Sequence, residues 1–446
     1  MSQHLRATLF LGLPLVGSHV AQFALHVVDT ILLGWYGVAP LAAGVLGASC
    51  FFVIFVLGSG FAKAVMPMVA SAHAKDDIRQ VRRVTRMGLW LSILYGVLCY
   101  PLFWFSGDIL TALGQKPEVA TLAQDFLRLI GLGMVPALVV MVLKSYLAAL
   151  GRTQMVLWVT LIAVPVNVAI GWIFIFGNWG APELGVQGAA IATLTVQFLS
   201  LVILCLYAAF LPDLRRYQLF IRFWRPDWQA FGDVFRLGYP MGLTGMAEAG
   251  LFNASAMMMG WIGTVELAAH GIALEITAMA FMVHMGLSNA VTVRTGHYYG
   301  AGDFANLKRA ALAGICMSLS FALLTVAVFL VFDEQMIGLF IDAAEPARAE
   351  ILATGVVLLA CAALFQFADA SQALALGMLA GVQDTRMPMV YATISYWLIG
   401  LPASYILGFV VGMGPVGLWL GLCIGLACVA VSLMLRFWKR DFRQAA

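Results

Sequence analysis

Charged residues are scarce in this chain of 446 residues: they make up 11% of it, whereas hydrophobic residues make up 62%. A typical soluble domain has about 25% charged and 45–50% apolar residues. The scarcity of charge excludes a soluble enzyme, a disordered tail and a protein that binds nucleic acid through a basic face. The mean hydropathy of +0.94 indicates a polytopic membrane protein that contacts the lipid bilayer.

The sequence also lacks the residue clusters of an enzyme or a metal site. Its seven cysteines are scattered within or beside apolar segments, and no pair has ligand spacing. The absence of a nucleophile cluster and of an HExxH motif favours a non-enzymatic protein without a cofactor. The first apolar segment is too long for a cleavable signal and predicts a retained helix. Long apolar runs, rather than short alternating segments, exclude an outer-membrane barrel.

Long apolar segments are abundant, and a spanning helix needs roughly 20 such residues. We predict twelve spanning helices and therefore an all-α membrane protein. The spans cover residues 8–36, 43–72, 86–106, 124–150, 153–176, 185–210, 232–262, 267–293, 307–331, 351–380, 387–411 and 415–437. Most of the 25 Lys and Arg fall at the amino terminus, in the loops after even-numbered spans or in the carboxyl tail. By the positive-inside rule, both termini are cytoplasmic.

The two halves of the chain repeat each other. The constant offset that places Pro14 on Pro240 also aligns further Gly, Trp and Leu-Ala residues, which rarely coincide by chance. Each repeat has six spans, an even number, so we predict two parallel six-helix lobes at residues 1–225 and 226–446. Such repeats are typical of transporters with sites between the lobes, although duplication can also simply enlarge a bundle. The two prolines predict kinks in spans one and seven.

Few ionisable residues lie within the predicted spans, and the cost of placing them in lipid predicts that they face the bundle interior. Asp29 ends a polar stripe on span one that includes Gln22. Glu248 lies on the matching stripe of span seven, and Asn253 follows five residues later. Glu275 on span eight shares its face with methionines, which repack around varied ligands. Each carboxylate is a candidate for cation binding or, alternatively, a structural hydrogen-bond acceptor.

Asp369 on span ten is accompanied by amides and an aromatic ring. Gln366 and Gln372 lie three residues before and after it, and Phe365 lies four residues before it, so the four share one helix face. Oxygen ligands suit a metal cation and an aromatic ring suits an organic cation. We therefore predict a coupling and substrate-binding site here, with Na⁺ held by Glu248 and Asp369 as one interpretation.

These residues and motifs resemble the multidrug and toxic compound extrusion (MATE) family, in its NorM-like bacterial branch. The resemblance rests on LGLP…VDTILLGWYG near the amino terminus, on MGLSNAVTVRTGHYYGAGD at 285–303 and on ALALGMLAGVQDTRMPM at 373–389. It implies a V-shaped pair of six-helix lobes around a central cavity. We expect a monomer in the bacterial inner membrane. The resemblance also implies antiport, in which a cationic or amphipathic toxic compound leaves as Na⁺ or H⁺ enters.

The resemblance also assigns roles to particular residues. Phe365 stands where many NorM-like proteins have a tyrosine, and Asn167 on span five stands where some members have an aspartate. The family's functional carboxylates match Asp29, Glu248 and Asp369, and Glu275 is similar to a glutamate of eukaryotic members. The alternative function is a flippase of lipid-linked or polysaccharide precursors with the same architecture. Anionic headgroups would require cavity arginines, and we place none at membrane depth.

Overall fold

The computed structural model describes residues 2–342 and 345–442, which form helices and turns and no strand. Nine helices precede residue 216, and a short 3₁₀ turn at Asn178–Gly180 follows the seventh. These helices are α1 (Ser2–Tyr36), α2 (Val38–Ala74), α3 (Ile78–Trp104), α4 (Ser106–Ala112), α5 (Pro117–Leu132), α6 (Met134–Ala149), α7 (Thr153–Phe176), α8 (Val186–Phe210) and α9 (Pro212–Arg215).

Eight helices follow in the second half. They are α10 (Trp228–Ile262), α11 (Thr264–Ala301), α12 (Phe304–Val331), α13 (Asp333–Gly338), α14 (Arg348–Gly381), α15 (Arg386–Ile394), α16 (Leu401–Tyr405) and α17 (Gly414–Lys439). Two π-helical stretches, Ser395–Gly400 and Ile406–Val410, flank α16. Such widened turns are rare and frequently lie at functional sites.

Helix starts reproduce the repeat. The Asp77 side chain caps α3 by accepting a hydrogen bond from the backbone N–H of Gln80 at 2.9 Å. Its counterpart in the second repeat, Asp303, caps α12 by accepting one from the backbone N–H of Asn306 at 3.1 Å. An aspartate at this position satisfies an otherwise unbonded N–H of the first helical turn. The hydrogen bonds from Asn306 lower the pKa of the Asp303 carboxyl below its usual value. The same cap therefore sets the same helix start in both halves.

Ten helical segments of the described chain are long and apolar enough to cross a membrane. A further pair, α5 and α6, passes the same test together, although it is bent by 44° at Gly133. The remaining predicted span corresponds to α10, which falls outside this group because Glu248 and Asn253 lower its hydropathy. Its 35 residues nevertheless extend about 52 Å, more than the thickness of a hydrocarbon core.

The described residues form two compact units that are discontinuous in sequence. One contains residues 17–242, and the other contains the residues up to 16 together with those from 243 onward. Each boundary cuts a long helix two residues after Pro14 or Pro240. The units therefore differ from lobes drawn at residue 225, because the first half of α1 and the first half of α10 each belong with the other half of the sequence.

Glycines allow these exchanged half-helices to approach their neighbours closely. In the unit of residues 17–242, a Cβ atom on Gly60 of α2 would lie 2.3 Å from the carbonyl oxygen of Gly238 and 2.4 Å from the backbone nitrogen of Gly242. In the other unit, a Cβ on Gly286 of α11 would lie 2.5 Å from Cα of Val16. Gly60 and Gly286 are counterparts under the constant offset, so the two close crossings are equivalent in the repeat.

Candidate functional site

The polar face predicted on span ten lies on α14 and is buried within its unit. Asp369 is 2% exposed, and Gln366, Gln372 and Phe365 are at most 1% exposed. Burial of a carboxyl group and two amides is costly unless each finds polar partners. The residues that hydrogen-bond to Asp369, Gln366 and Gln372 therefore determine what the site can bind.

The structure brings Glu248 of α10 to this face of α14. The Gln372 side chain donates a hydrogen bond from Nε2 to Oε1 of Glu248 at 2.7 Å. Asp369, one helical turn before Gln372, interacts electrostatically with Glu248. No Lys or Arg nitrogen lies within 4.0 Å of the Asp369 carboxyl among the described residues. Two acids that the sequence separates by more than a hundred residues thus belong to one cluster.

A histidine extends this cluster towards α11 and α12. Nε2 of His284 lies 3.3 Å from Oε1 of Gln366, and Nδ1 of His284 lies 2.7 Å from the hydroxyl of Ser318. All three side chains are at most 1% exposed. No sequence pattern connects His284 to span ten, because the three residues come from three different helices.

Aromatic rings pack beside the cluster. The Phe365 ring lies 6.0 Å from that of Phe252 and 5.8 Å from that of Trp419, both in edge-to-face orientation. The Trp397 indole donates a hydrogen bond to the carbonyl oxygen of Ala247, next to Glu248, at 3.2 Å. Apolar surroundings of this kind lower the local dielectric constant and strengthen electrostatic interactions between buried groups.

Tyr396 is a member of the site that sequence reasoning missed. It lies in the first π-helical stretch, is fully buried and interacts electrostatically with both Glu248 and Asp369. Its hydroxyl has no hydrogen-bond partner within the described part of the chain. A signal for the irregular backbone was present, since Pro402 interrupts the hydrogen bonding of a predicted span.

Three buried polar atoms at this cluster have hydrogen-bonding capacity that the described residues leave unused. They are Oε1 of Gln372, Nε2 of Gln366 and the hydroxyl of Tyr396. Buried polar atoms are normally satisfied, and atoms of this kind commonly bind an ion or an ordered water. The described residues contain no group of three His, Cys, Asp or Glu side chains that fits a transition metal. The chemistry of this site is instead that of two carboxylates with neutral oxygens.

A second acidic site lies in the unit of residues 17–242. Oδ2 of Asp29 on α1 accepts a hydrogen bond from the Thr193 hydroxyl of α8 at 3.0 Å, and Asn167 of α7 approaches the same carboxyl. Asn167 is 1% exposed. Oδ1 of Asp29 and Oδ1 of Asn167 are buried without a hydrogen-bond partner among the described residues. Asn167 thus accompanies Asp29 in one site.

A separate polar group in this unit contains no acid. Nζ of Lys144 donates to the Thr160 hydroxyl at 2.8 Å, and that hydroxyl lies 2.9 Å from the one of Ser18. Ser18 lies four residues before Gln22 and eleven before Asp29, on the same polar stripe of span one, but the structure gives Ser18 and Asp29 different partners. The stripe therefore contributes to two distinct polar groups.

Three predicted site residues do not join either acidic cluster. Glu275, Asn253 and Gln22 are exposed. Asn253 donates a hydrogen bond to the carbonyl oxygen of Ala249 within its own helix at 2.9 Å. Helical spacing identified which residues share a face, but it did not identify what that face contacts.

Comparison with known proteins agrees with the repeat. The sequence model of the MatE family matches residues 14–173 and 240–406, and these ranges begin at the paired prolines Pro14 and Pro240. The "Probable multidrug resistance protein NorM" of Rhizobium meliloti strain 1021 is 45% identical over 98% of this chain and 93% of its own length. The protein of the same name from Agrobacterium fabrum strain C58 is 42% identical over 99% and 96%, respectively.

Solved structures share the fold. The crystal structure of a eukaryotic MATE transporter matches 99% of this chain and 97% of its own, with a TM-score of 0.89 and 19% identity. An outward-facing structure of a multidrug resistance MATE transporter matches 99% and 96%, with a TM-score of 0.90 and 22% identity. At these identities the similarity shows the fold alone. The family model, which matches most of the sequence, and the two relatives above 40% identity establish that this chain belongs to the MATE family of membrane transporters, in its NorM-like bacterial branch.

Proposed function

We propose that this protein is a secondary active multidrug efflux antiporter. It exports cationic or amphipathic toxic compounds across the bacterial inner membrane in exchange for Na⁺ or H⁺. The observation that carries the proposal is the buried cluster in which Gln372 links Glu248 to the α14 face of Asp369. The assignment of its relatives as multidrug resistance proteins supports the same function.

The cluster favours exchange because two neighbouring carboxylates cannot both stay charged cheaply in apolar surroundings. A proton or a metal cation between them relieves their repulsion. When that cation enters, the site loses its attraction for a cationic drug, and the drug is released. An inward membrane potential of 100 mV adds about 2.3 kcal/mol for each entering positive charge. Binding of one cation is thereby coupled to release of another.

Na⁺ and H⁺ make different demands on the site. Phe365 supplies no hydroxyl, but Tyr396 places one beside the two acids, and Gln372 offers an unused amide oxygen. With the two carboxylates these groups provide the oxygen ligands that a hard cation prefers. A proton needs only Glu248 or Asp369. Asp29, with Thr193 and Asn167 beside it, is a second candidate coupling site of the protonation type.

The substrate class follows from charge and apolarity. Acidic side chains on the same helix face as Phe365, which packs against Phe252 and Trp419, suit organic cations with aromatic parts. The exposed Glu275 adds a further negative charge that a cationic compound can reach. An anionic lipid-linked precursor would be repelled by the same acids, which disfavours the flippase alternative.

The topology completes the proposal. Most Lys and Arg fall at the amino terminus, in the loops after even-numbered predicted spans or in the carboxyl tail, which supports a cytoplasmic location of both termini. With this orientation the coupling cation enters from the outside and moves down its gradient. The protein functions as a monomer in this proposal, because each chain carries both acidic clusters.

The decisive experiment is efflux of a cationic dye from proteoliposomes under separately imposed Na⁺ and H⁺ gradients. We expect acceleration by one gradient and at least a tenfold slower rate in Glu248→Gln and Asp369→Asn, because charge neutralisation removes the coupling step. Glu118→Gln, at an exposed position of α5, is the matched control and should keep the wild-type rate. Wild-type efflux in both acid variants, or no response to either gradient, would refute the proposal.

A further inference from the structure

Six arginines line one surface cavity in the unit of residues 17–242. The cavity has a volume of about 870 Å³ and lies between the start of α3 and the segment that connects α9 to α10. Its charged residues are Arg79, Arg82, Arg83, Arg86, Arg222, Arg225 and Asp227. Neither the acidic clusters nor the transport cycle proposed above uses this cavity.

The cavity is built by specific contacts. The four arginines of α3 follow the i, i+3, i+4, i+7 spacing of one helix face. Nε of Arg86 donates to the carbonyl oxygen of Leu219 at 2.9 Å, and the Trp90 indole donates to that of Phe223 at 3.0 Å. Gln218 and Arg222 adopt left-handed backbone conformations, with φ of 48° and 57°. Such conformations are costly for residues other than glycine. The two side-chain hydrogen bonds compensate for this cost and hold the segment that connects α9 to α10 against α3.

The positive charge in the cavity is mostly uncompensated. Arg83 forms a bidentate ion pair with Asp227, and it is the one arginine of the six with a carboxylate within 4.0 Å among the described residues. A second basic cavity lies in the other unit and is lined by Arg436, Lys439 and Arg440, but its charge is compensated. There, Asp384 binds both Arg436 and Arg440. Converging arginines without carboxylates repel one another, unless an anion binds between them.

The internal repeat provides a comparison. Under its constant offset, Arg82 and Arg83 correspond to Lys308 and Arg309, whereas Arg79 and Arg86 correspond to Ala305 and Leu312. One basic pair per repeat is therefore common to both halves. Arg79 and Arg86 have no basic counterpart in the second repeat, and both line the same cavity. The repeat architecture alone therefore does not account for them, and an anionic ligand does.

The surroundings of the cavity identify the ligand as a lipid. Ile221, which lines the cavity, is exposed, and so are the nearby Trp224 and Trp228. Exposed tryptophans beside basic residues are typical of the membrane–water interface. Arginines at that depth bind phosphate by paired hydrogen bonds. We propose that this cavity binds the phosphate headgroup of an anionic phospholipid of the cytoplasmic leaflet, with the acyl chains beside the exposed apolar side chains.

The test measures lipid retained by the purified full-length protein, using native mass spectrometry after exposure to equimolar cardiolipin and phosphatidylethanolamine. We expect wild-type protein to retain cardiolipin preferentially. Arg79→Gln combined with Arg225→Gln should reduce this preference about tenfold or more, since each arginine near the surface contributes substantially to binding anionic lipid. Lys308→Gln combined with Arg309→Gln removes the same charge at a matched place in the repeat and should change the preference less than about twofold.

Three results would overturn the inference. One is equal retention of both lipids by the wild-type protein. The second is an equal loss in the cavity variant and the matched control, which would show a general charge effect. The third is displacement of cardiolipin by millimolar inorganic phosphate, which would make free phosphate the ligand. If the double variant does not fold, Arg79→Gln alone, at an exposed position, should still reduce the preference about fivefold.

Discussion

The close crossing of α2 with the first half of α10 predicts a large effect from one added methyl group. In Gly60→Ala the new Cβ would lie 2.3 Å from the Gly238 oxygen and 2.4 Å from the Gly242 nitrogen, and both atoms are backbone. Because backbone cannot rotate away as a side chain can, the helices must separate. Overpacking typically costs about 1–3 kcal/mol, and a clash with two backbone atoms belongs at the upper end. We therefore expect a loss of about 3 kcal/mol of stability.

The assay is the apparent midpoint of thermal unfolding in one detergent for the wild type and two alanine variants. Gly232→Ala is the matched control, because it lies on α10 and its Cβ would meet no atom within 4 Å. Replacing an unhindered helical glycine stabilises a helix by about 0.5–1 kcal/mol, so this control should unfold at an equal or higher temperature. A Gly60→Ala midpoint equal to that of the wild type would show that the crossing is not as close as described.

Three further predictions concern polar groups. Tyr396→Phe removes a buried hydroxyl without a partner among the described residues, so stability should be kept or raised. Where the proteoliposome assay gives Na⁺ as the coupling ion, the Na⁺ concentration for half-maximal dye efflux should also rise about tenfold, and an unchanged value would exclude the hydroxyl as a ligand. Asp384→Asn leaves two arginines, including Arg436 at 2.7 Å, without their carboxylate and should cost about 3 kcal/mol in thermal unfolding. The Arg83 guanidinium lowers the pKa of Asp227 below its usual value. Because the pKa of Asp227 is lower in the folded protein than its unfolded-state value of about 3.9, the ionised carboxylate stabilises the folded state at pH values above about 3.9. This stability is lost as the pH falls through the folded-state pKa. The difference in midpoint between wild type and Asp227→Asn should therefore be present at neutral pH and vanish in acid.

The sequence predicted those features of the structure that depend only on neighbouring residues in the chain. Helical spacing alone placed Gln366, Asp369 and Gln372 on one face, because the period of an α-helix depends only on the chain itself. The constant offset predicted equivalent helix starts, and Asp77 and Asp303 occupy them. Family membership likewise followed from motifs that lie in order along the chain.

What the sequence could not predict was which faces meet. Tyr396 reaches the acids from a π-helical stretch whose side-chain directions depart from the regular period. His284 contacts Gln366 through the packing of α11 against α14, which no local pattern specifies. For the same reason Glu275 was grouped with the acids, although the structure leaves it exposed. The exchange of half-helices between units is also invisible to a comparison of the two repeats.

That exchange imposes an order on synthesis. The first half of α1 leaves the ribosome before the helices that it packs against. Arg294, which donates a hydrogen bond to the His4 carbonyl oxygen at 2.7 Å, is made nearly three hundred residues later. The opening segment must therefore wait in the translocation machinery or the bilayer until most of the protein has been translated. Residues 17–225 likewise cannot complete their unit until the first half of α10 emerges. A fragment that ends at the repeat boundary would lack the first half of α10, which packs on α2, and α11, which packs on the first half of α1. Such fragments expose unpacked helix faces and are expected substrates of membrane proteases.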